Sequence, residues 1–231
     1  MNEKMEIIAI IPARGGSKSI PKKNIKHLRG KPLISYSIGS AKKTKYINKI
    51  VVSTEDKEIA EISREYDAEV LERPEELAKD ESSTIDAILH VLGVLKAENH
   101  NPDIIILLQP TSPLRNAEDI DSAIELFLNS DCESVVGVCE VGHSPYWCFE
   151  IENGYLKSFF GDEYLRMRRQ ELEKVYIPNG AIYISTPENL RKYKGFYGLR
   201  TIPYIMPPER SIDIDDATDL MLAELLMKRH V

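Results

Sequence analysis

The residues with the clearest chemical potential form a loop that directly follows the first aliphatic run, in IIAIIPARGGSKSIPKKNI, residues 7–25. Gly15 and Gly16 allow the backbone to approach an anion and to turn its N–H groups toward it. Several phosphate charges can be neutralised by four nearby cations, Arg14, Lys18, Lys22 and Lys23. The loop matches neither G-x-x-x-x-G-K-[ST] nor G-x-G-x-x-G. It therefore predicts a phosphate site of another kind, with a basic surface turn as the alternative.

A second candidate group is SIDIDD, residues 211–216. Because isoleucine alternates with aspartate there, Asp213 and Asp215 are predicted to face one side of an extended segment. Magnesium prefers oxygen ligands and usually takes only one or two protein carboxylates. We therefore predict Asp213 and Asp215 as Mg²⁺ ligands. The alternative is that Asp215 or Asp216 caps the following helix, which suits Asp216 and does not explain Asp213.

Alternating strands and helices must position these loops. Continuous apolar runs indicate strands that are buried on both faces, and amphipathic stretches between them indicate helices over residues 32–45, 56–66, 83–97 and 116–129. This order predicts an α/β fold with a mostly parallel sheet. The predicted strands lie in EIIAIIPA, KIVVST, AEVLER, DIIILLQP, ESVVGVCEV and GAIYIS.

One segment interrupts this order. In CFEIENGYLKSFF, residues 148–160, Asn153 and Gly154 separate two alternating apolar runs, which is a strong β-hairpin signal. We predict an inserted hairpin arm over residues 142–175 of a single domain that spans residues 1–231. Since the following residues are polar and cationic, the arm is expected to contact another subunit, with a solvent-exposed elaboration as the alternative.

Composition narrows the class of protein. The 231 residues, 42% of them hydrophobic, are enough for one large core. A charged fraction of 29% with a net charge of -7 disfavours a nucleic-acid-binding surface. No segment approaches the about 20 apolar residues that span a bilayer. The three cysteines, Cys132, Cys139 and Cys148, contain no C-x-x-C pair, which favours a reducing, cytoplasmic setting.

The loop IPARGGSKSIPKKNI closely resembles the opening motif of the N-acylneuraminate cytidylyltransferases, the CMP-sialic acid synthetases. Four later segments resemble further motifs of that family in its order and spacing: STEDKEIAEISREYDAEVLERPEELAKDESSTIDAI, LLQPTSPLR, PNGAIYI and SIDIDDATDL. The resemblance covers nearly the whole chain. It implies a three-layer, Rossmann-like nucleotidyltransferase fold, Mg²⁺ as cofactor and a homodimer. The implied reaction is attack by the anomeric hydroxyl of an acidic sugar on the α-phosphate of CTP, which releases pyrophosphate.

The resemblance also assigns residues to roles. Arg14 and Lys23 are expected along the triphosphate, and Ser82 and Thr84 at the cytosine and ribose, although helix capping would also explain these two hydroxyls. Phe196 and Tyr197 are expected near the sugar's acylamino group, with a place in the core as the alternative. The full nucleotide set is Arg14, Ser17, Lys23, Asn24, Arg73, Ser82 and Thr84; the sugar set is Gln109, Arg169, Tyr183, Phe196 and Tyr197; the catalytic set is Lys23, Arg169, Asp213 and Asp215.

Two departures from the family's pattern lie on the sugar side. Trp147 stands where some sialic acid enzymes have a lysine, and Glu173 replaces a proline common in the family. The sequence thus supports CTP more strongly than sialic acid, and legionaminic and pseudaminic acids remain open. Two further alternatives are a 3-deoxy-manno-octulosonate cytidylyltransferase and a non-catalytic sugar-nucleotide-binding homologue. The Asp213 and Asp215 pair argues against the second of these.

Overall fold

The computed structural model describes residues 5–229, so residues 1–4 and 230–231 of the predicted domain lie outside the described part. The strands are β1 (Ile7–Pro12), β2 (His27–Leu28), β3 (Lys31–Pro32), β4 (Lys49–Thr54), β5 (Glu69–Glu72), β6 (Ile104–Leu107), β7 (Ser134–Glu140), β8 (Phe149–Glu152), β9 (Tyr155–Ser158), β10 (Tyr176–Ser185) and β11 (Thr201–Ile205). Seven of them form the central sheet in the order β11-β7-β10-β6-β1-β4-β5.

The central sheet is mostly parallel, as predicted. Strand β10 is its antiparallel member and pairs in that sense with both β6 and β7. All six predicted strands are present. The sequence patterns do not predict β11, because it is a short, half-exposed edge strand that contains Pro203. Proline is tolerated at such an edge, where one row of backbone groups lacks a ladder partner.

Helices cover both faces of the sheet. They are α1 (Leu33–Lys42), α2 (Lys57–Glu65), α3 (Thr84–Ala97), α4 (Ala117–Leu128), α5 (Pro187–Tyr193) and α6 (Ala217–Arg229). The four predicted helices are confirmed. Three of them begin after N-cap residues, Asp56, Ser83 and Asn116, whose side chains accept hydrogen bonds from the first turn.

The core consists of layers on either side of the sheet. Ile7, Ala9 and Ile11 of β1 pack with α1, α2 and α4 on one face, whereas Ile8 and Ile10 pack with α3 and α5 on the other. Because both faces are buried, every residue of β1 before Pro12 is apolar. The three-layer α/β fold is therefore confirmed.

The predicted β-hairpin is also present. Since Glu140 of β7 pairs with Tyr176 of β10, the intervening residues leave the sheet and return to it at one point. They contain the β8–β9 hairpin, whose turn residues Asn153 and Gly154 have φ values of 53° and 84°. Asparagine and glycine adopt this left-handed conformation at low cost, which explains why they form the turn.

Most of the predicted site residues lie in loops beyond the carboxyl ends of β1, β5, β6 and β11. Strand β1 pairs in parallel with β4 on one side and with β6 on the other. The strand order therefore reverses direction at β1, and ligands bind at such a switch point in open α/β sheets. None of the helices within residues 5–229 is long and apolar enough to cross a membrane.

Candidate active site

A cleft of about 580 Å³ opens at this edge of the sheet. It is bounded by the loop after β1, the loop between β5 and α3, the loop after β6 and the segment that precedes α6. Most of the predicted site residues line it together: Arg14, Ser17, Lys23, Asn24, Arg73, Ser82, Thr84, Gln109, Asp213 and Asp215.

The glycines of the first loop have different environments. The Gly15 N–H donates to Glu55 Oε1 at 2.7 Å, and a Cβ at this position would lie 2.5 Å from Asp56 Oδ2. Gly15 is therefore required by its close packing against the start of α2. The prediction that this N–H points to a phosphate is wrong for Gly15, because the Glu55 carboxylate accepts its hydrogen bond. Gly16 does line the cleft.

Two neighbouring residues hold the loop in place. Asn24 is 9% exposed, and its side-chain amide donates to the Arg14 carbonyl oxygen at 2.9 Å. Lys23 Nζ donates to the Ile214 carbonyl oxygen at 2.8 Å and lies 3.3 Å from Asp215 Oδ1. Lys23 thus joins the cationic loop to the segment of predicted metal ligands.

Asp80, which the sequence analysis did not single out, lies between two cations of the loop. Its carboxylate oxygens are 2.9 Å from Arg14 Nη1 and 2.8 Å from Lys18 Nζ. The hydrogen bond from Lys18 and the two positive charges lower the pKa of Asp80. The space between these cations therefore favours negative charge, as a phosphate site requires.

Arg73 is a buried cation at the end of β5. It is 6% exposed, and its guanidinium donates to the carbonyl and hydroxyl oxygens of Ser53 at 2.5 and 3.2 Å. Burial lowers its pKa. These contacts with β4 give Arg73 a single orientation at the wall of the cleft.

The three hydroxyl residues at the start of α3, Ser82, Ser83 and Thr84, have different roles. Ser83 is the N-cap and accepts from the Asp86 N–H at 3.1 Å. Capping therefore does not explain Ser82 or Thr84. Ser82 donates to the Glu76 carbonyl oxygen at 2.7 Å, Thr84 is the first residue of α3, and both line the cleft.

The structure assigns different environments to the neighbouring aspartates. Burial raises the pKa of Asp213, and the charge of Asp215 raises it further. Asp213 Oδ1 is buried without a hydrogen-bond partner in the described structure. Asp216 caps α6, as predicted, because it accepts from the Thr218 and Asp219 N–H groups at 2.7 and 3.1 Å.

An orphaned carboxylate oxygen beside a second carboxylate suits a cation. Asp213 and Asp215 line the same cleft, and magnesium's usual complement of one or two protein carboxylates requires no third. Over residues 5–229, no cluster of three or more His, Cys, Asp or Glu side chains has a metal-binding arrangement. The two aspartates therefore fit Mg²⁺ better than a metal that requires a full protein shell.

Gly180 allows Gln109 and Asp213 to lie close to the backbone of β10. Its φ is +73°, and a Cβ there would lie 2.7 Å from Gln109 Oε1 and 3.0 Å from Asp213 Oδ2. Asn179, which the sequence analysis also missed, donates to Ser211 Oγ at 2.9 Å and accepts from the Ala181 N–H at 3.1 Å. The Asn-Gly pair within an apolar strand is the sequence signal that could have identified Asn179. Such a pair indicates a bulge, and the register of β10 does shift at this point.

The predicted aromatic residues Tyr183, Phe196 and Tyr197 form a group next to Gly180 and Asp213. The ring centroids of Tyr183 and Phe196 are 5.4 Å apart. Burial raises the pKa of Tyr183 to about 12, so its phenol is neutral at ordinary pH. Phe196 is 4% exposed and belongs to the core, whereas Tyr197 is 60% exposed. Tyr197 is therefore the more accessible member of the predicted pair.

Arg169 lies apart from the other predicted residues. Its side chain is 62% exposed, and its Nη2 is 4.0 Å from Glu140 Oε1, beside a second groove that Lys174 also lines. Trp147 donates through Nε1 to the Tyr164 carbonyl oxygen at 3.1 Å, within the arm. No arm residue in the described part of the chain lines the main cleft.

Comparison with known proteins gives consistent similarities. The profile of the family described as Cytidylyltransferase matches residues 8–197. The chain is 38% identical over 229 residues to the CMP-N,N'-diacetyllegionaminic acid synthase of Legionella pneumophila, with 97% of each chain covered. It is 35% identical over 225 residues to the N-acylneuraminate cytidylyltransferase of Escherichia coli O18:K1:H7; this covers 97% of the chain but 52% of that protein, so the chain spans about half of its length.

A solved structure supports the fold. The chain is similar to CMP:2-keto-3-deoxy-manno-octonic acid synthetase complexed with CTP, with a TM-score of 0.72, coverage of 98% of this chain and 100% of that one, and 16% sequence identity. At that identity the likeness establishes a shared architecture and not a shared substrate.

Proposed function

This chain belongs to the cytidylyltransferase family, and we propose that it transfers CMP from CTP to the anomeric hydroxyl of an acidic nine-carbon 2-keto sugar. The observation that carries this proposal is the joining of the cationic loop to the Asp213 and Asp215 segment, through Lys23, in one cleft. The names of the Legionella and Escherichia relatives support the sugar class. The octonic acid synthetase is related by architecture at 16% identity, which does not favour an eight-carbon substrate.

The chemistry requires positioning and charge neutralisation more than covalent catalysis. The sugar hydroxyl oxygen forms a bond to the α-phosphorus and its proton is released to solvent. The bond from that phosphorus to the bridging oxygen breaks, and pyrophosphate leaves with the electron pair. Arg14, Lys18 and Lys23 supply positive charge along the phosphates. Since these side chains are already held by hydrogen bonds and ion pairs, little reorganisation is needed during reaction.

Asp213 and Asp215 are proposed to hold Mg²⁺. The buried Asp213 Oδ1 without a hydrogen-bond partner supports this assignment. When bound, Mg²⁺ would neutralise phosphate oxygens and orient the triphosphate. The residues' own contribution is to present two carboxylates next to the cationic loop. Omission of divalent ions, or excess chelator, should abolish activity; full activity in chelator would contradict the proposal.

The nucleoside is proposed to lie between the loop after β1 and the start of α3. Ser82 and Thr84 are free of the capping task, and Arg73 is held at the wall by Ser53. Ser17 and Asn24 line the same part of the cleft. These groups provide hydroxyl, amide and guanidinium contacts for the ribose and base of CTP.

The sugar is proposed to contact the wall formed by Gln109, Tyr183 and Tyr197. Its carboxylate suits Arg169, because a guanidinium bonds both carboxylate oxygens. Arg169 lies outside the cleft of its own chain, so we propose that the arm of a second subunit supplies it in a homodimer. The arm has the exposed apolar surface that such a contact would bury: Ile151 is 77% exposed, Tyr155 79%, Leu156 68% and Phe159 63%.

Mixed dimers test the exchange of Arg169 between subunits. Arg169→Ala and Asp213→Asn should each be nearly inactive alone. Co-refolded or co-expressed together, they should regain activity, because one site of the heterodimer then combines an intact cleft with the partner's intact arm. No recovery in a proven heterodimer would place Arg169 in its own subunit's site, and a monomeric wild-type enzyme would refute the dimer.

The experiment that tests the function is pyrophosphate release with CTP and a panel of 2-keto acids. The panel contains N-acetylneuraminic, legionaminic, pseudaminic and 3-deoxy-manno-octulosonic acids. We propose that a legionaminic-type sugar gives a higher kcat/KM than N-acetylneuraminic acid, since Trp147 is apolar where some relatives carry lysine. A preference for N-acetylneuraminic acid would refute that assignment and leave CTP transfer intact. A reducing, cytoplasmic setting is proposed from the three free cysteines, Cys132, Cys139 and Cys148.

A further inference from the structure

Asp119 is a buried carboxylate that does not line the cleft. It is 1% exposed and lies in the first turn of α4, where it accepts from the Asn116 N–H at 3.1 Å. Tyr204 Oη donates to it at 3.2 Å, and Arg210 donates through Nε and Nη2 at 3.0 and 2.9 Å. Each carboxylate oxygen therefore accepts two hydrogen bonds.

Arg210 connects this buried anion to the start of the metal-binding segment. It ends a short 3₁₀ turn, Pro208–Arg210, three positions before Asp213. Its bidentate contact fixes both the position and the rotation of the guanidinium, which one hydrogen bond would not do. The anchor is rigid because Asp119 belongs to a helix that packs against the central sheet.

Residues 211–215 have no regular secondary structure, so their placement depends on individual anchors. Downstream of Arg210, Ser211 accepts from Asn179 at 2.9 Å, and the Ile214 N–H donates to the Thr111 carbonyl oxygen at 2.8 Å. The Ile214 side chain is fully buried. Lys23 also holds this segment, through the Ile214 carbonyl oxygen and Asp215. Arg210 is the first of these anchors along the chain and the one whose charged partner is buried.

We propose that Arg210, through its ion pair with Asp119, is a positioning residue that sets where Asp213 and Asp215 present their carboxylates. This inference rests on the proposed metal-binding role of those two aspartates. Partners beyond the metal ligands commonly change metal affinity about 10- to 100-fold when they are removed. Because Arg210 acts through the backbone, we expect a loss near the lower end of that range.

The test is Mn²⁺ binding to the full-length protein, followed by electron paramagnetic resonance of free Mn²⁺ and therefore independent of turnover. Arg210→Gln should raise the Kd for Mn²⁺ about tenfold. Since Arg210→Gln leaves Asp119 buried without its countercharge, the double variant Asp119→Asn/Arg210→Gln is measured beside it. Removal of both charges should recover much of the lost melting temperature but leave Mn²⁺ binding weak.

The surface ion pair of Arg200 with Asp131, at 2.9 Å, provides a matched control. Arg200→Gln should bind Mn²⁺ as the wild type does. Unchanged Mn²⁺ affinity in Arg210→Gln, or affinity restored in the double variant, would overturn the positioning role. Asp213→Asn separates a failure of the metal assignment from a failure of the Arg210 inference. If both Asp213→Asn and Arg210→Gln bind Mn²⁺ as the wild type does, the metal assignment fails. If Asp213→Asn loses Mn²⁺ and Arg210→Gln does not, only the inference about Arg210 fails.

Discussion

The Lys23 ammonium donates to the Ile214 carbonyl oxygen at 2.8 Å and so joins two loops that are 191 residues apart in the chain. Its side chain is 15% exposed, whereas that of its ion-pair partner Asp215 is 82% exposed. Lys23 therefore supports the segment before α6 and places a positive charge in the cleft. Both tasks depend on the same nitrogen.

Lys23→Met should reduce kcat/KM for CTP on the order of 10²-fold, because a positioned charged donor is lost from a preorganised site. The exposed neighbour Lys26 supplies the control, and Lys26→Met should retain wild-type kinetics. Steady-state rates at varied CTP, with melting temperatures of both variants, check this. Unchanged kcat/KM in a folded Lys23→Met protein would contradict the assignment.

Asp213→Asn should reduce turnover on the order of 10²-fold or more with little change in melting temperature, because it removes charge from the proposed metal site. Asp216→Ala is the comparison, since Asp216 caps α6. Its loss should cost ~1 kcal/mol of stability and leave turnover per folded molecule intact. The opposite pattern, in which Asp213→Asn melts early and remains active, would show that Asp213 is structural.

Gly180→Ala should impair both folding and activity. The left-handed backbone at φ +73° costs a non-glycine residue roughly 1–2 kcal/mol, and the new Cβ would displace Gln109 or Asp213. Gly30→Ala is the matched control, because Gly30 has a similar φ of +80° but a Cβ there meets nothing within 4 Å. It should lose stability and keep wild-type kinetics. Chemical denaturation and kinetics with both substrates measure the two effects. Wild-type kinetics in Gly180→Ala would show that the close approach is not needed.

Glu133 holds the loop that carries Phe196 and Tyr197. It accepts from Tyr193 Oη at 2.7 Å and from the Arg200 N–H at 3.1 Å. These hydrogen bonds, that of Tyr193 first, lower its pKa. Glu133→Gln should therefore loosen the loop and raise KM for the sugar more than KM for CTP. An equal rise in KM for the sugar and for CTP would contradict a role of Glu133 confined to the proposed sugar-binding residues.

The lowered pKa of Glu133 implies that folding stability depends on pH. A glutamate with a lowered pKa in the folded state contributes stability above its unfolded pKa of about 4.3 and loses it as the pH falls through the folded value. The difference in melting temperature between wild type and Glu133→Gln should be full at neutral pH. It should shrink below about pH 4.3. A difference that is independent of pH would exclude the ionised carboxylate as its cause.

The sequence by itself determined the elements of the fold whose signals are local. Continuous apolar runs predicted the buried strands, N-cap residues such as Ser83 marked helix starts, and Asn153-Gly154 identified the hairpin turn. Strand β11 escaped because its signal is weak: an edge strand with Pro203 is half-exposed and lacks the periodicity of a buried one. Local patterns report burial and turn geometry, which depend on neighbouring residues in the chain.

Tertiary structure decided which residues meet. Residue types drew attention to the cationic loop and to Asp213, but only the folded chain shows that Glu55 takes the Gly15 N–H and that Asp80 lies between Arg14 and Lys18. It also places Arg169 outside its own chain's cleft. The pair of Asp119 and Arg210, 91 residues apart, has no local signature, because its partners are brought together by the packing of distant elements and not by their spacing.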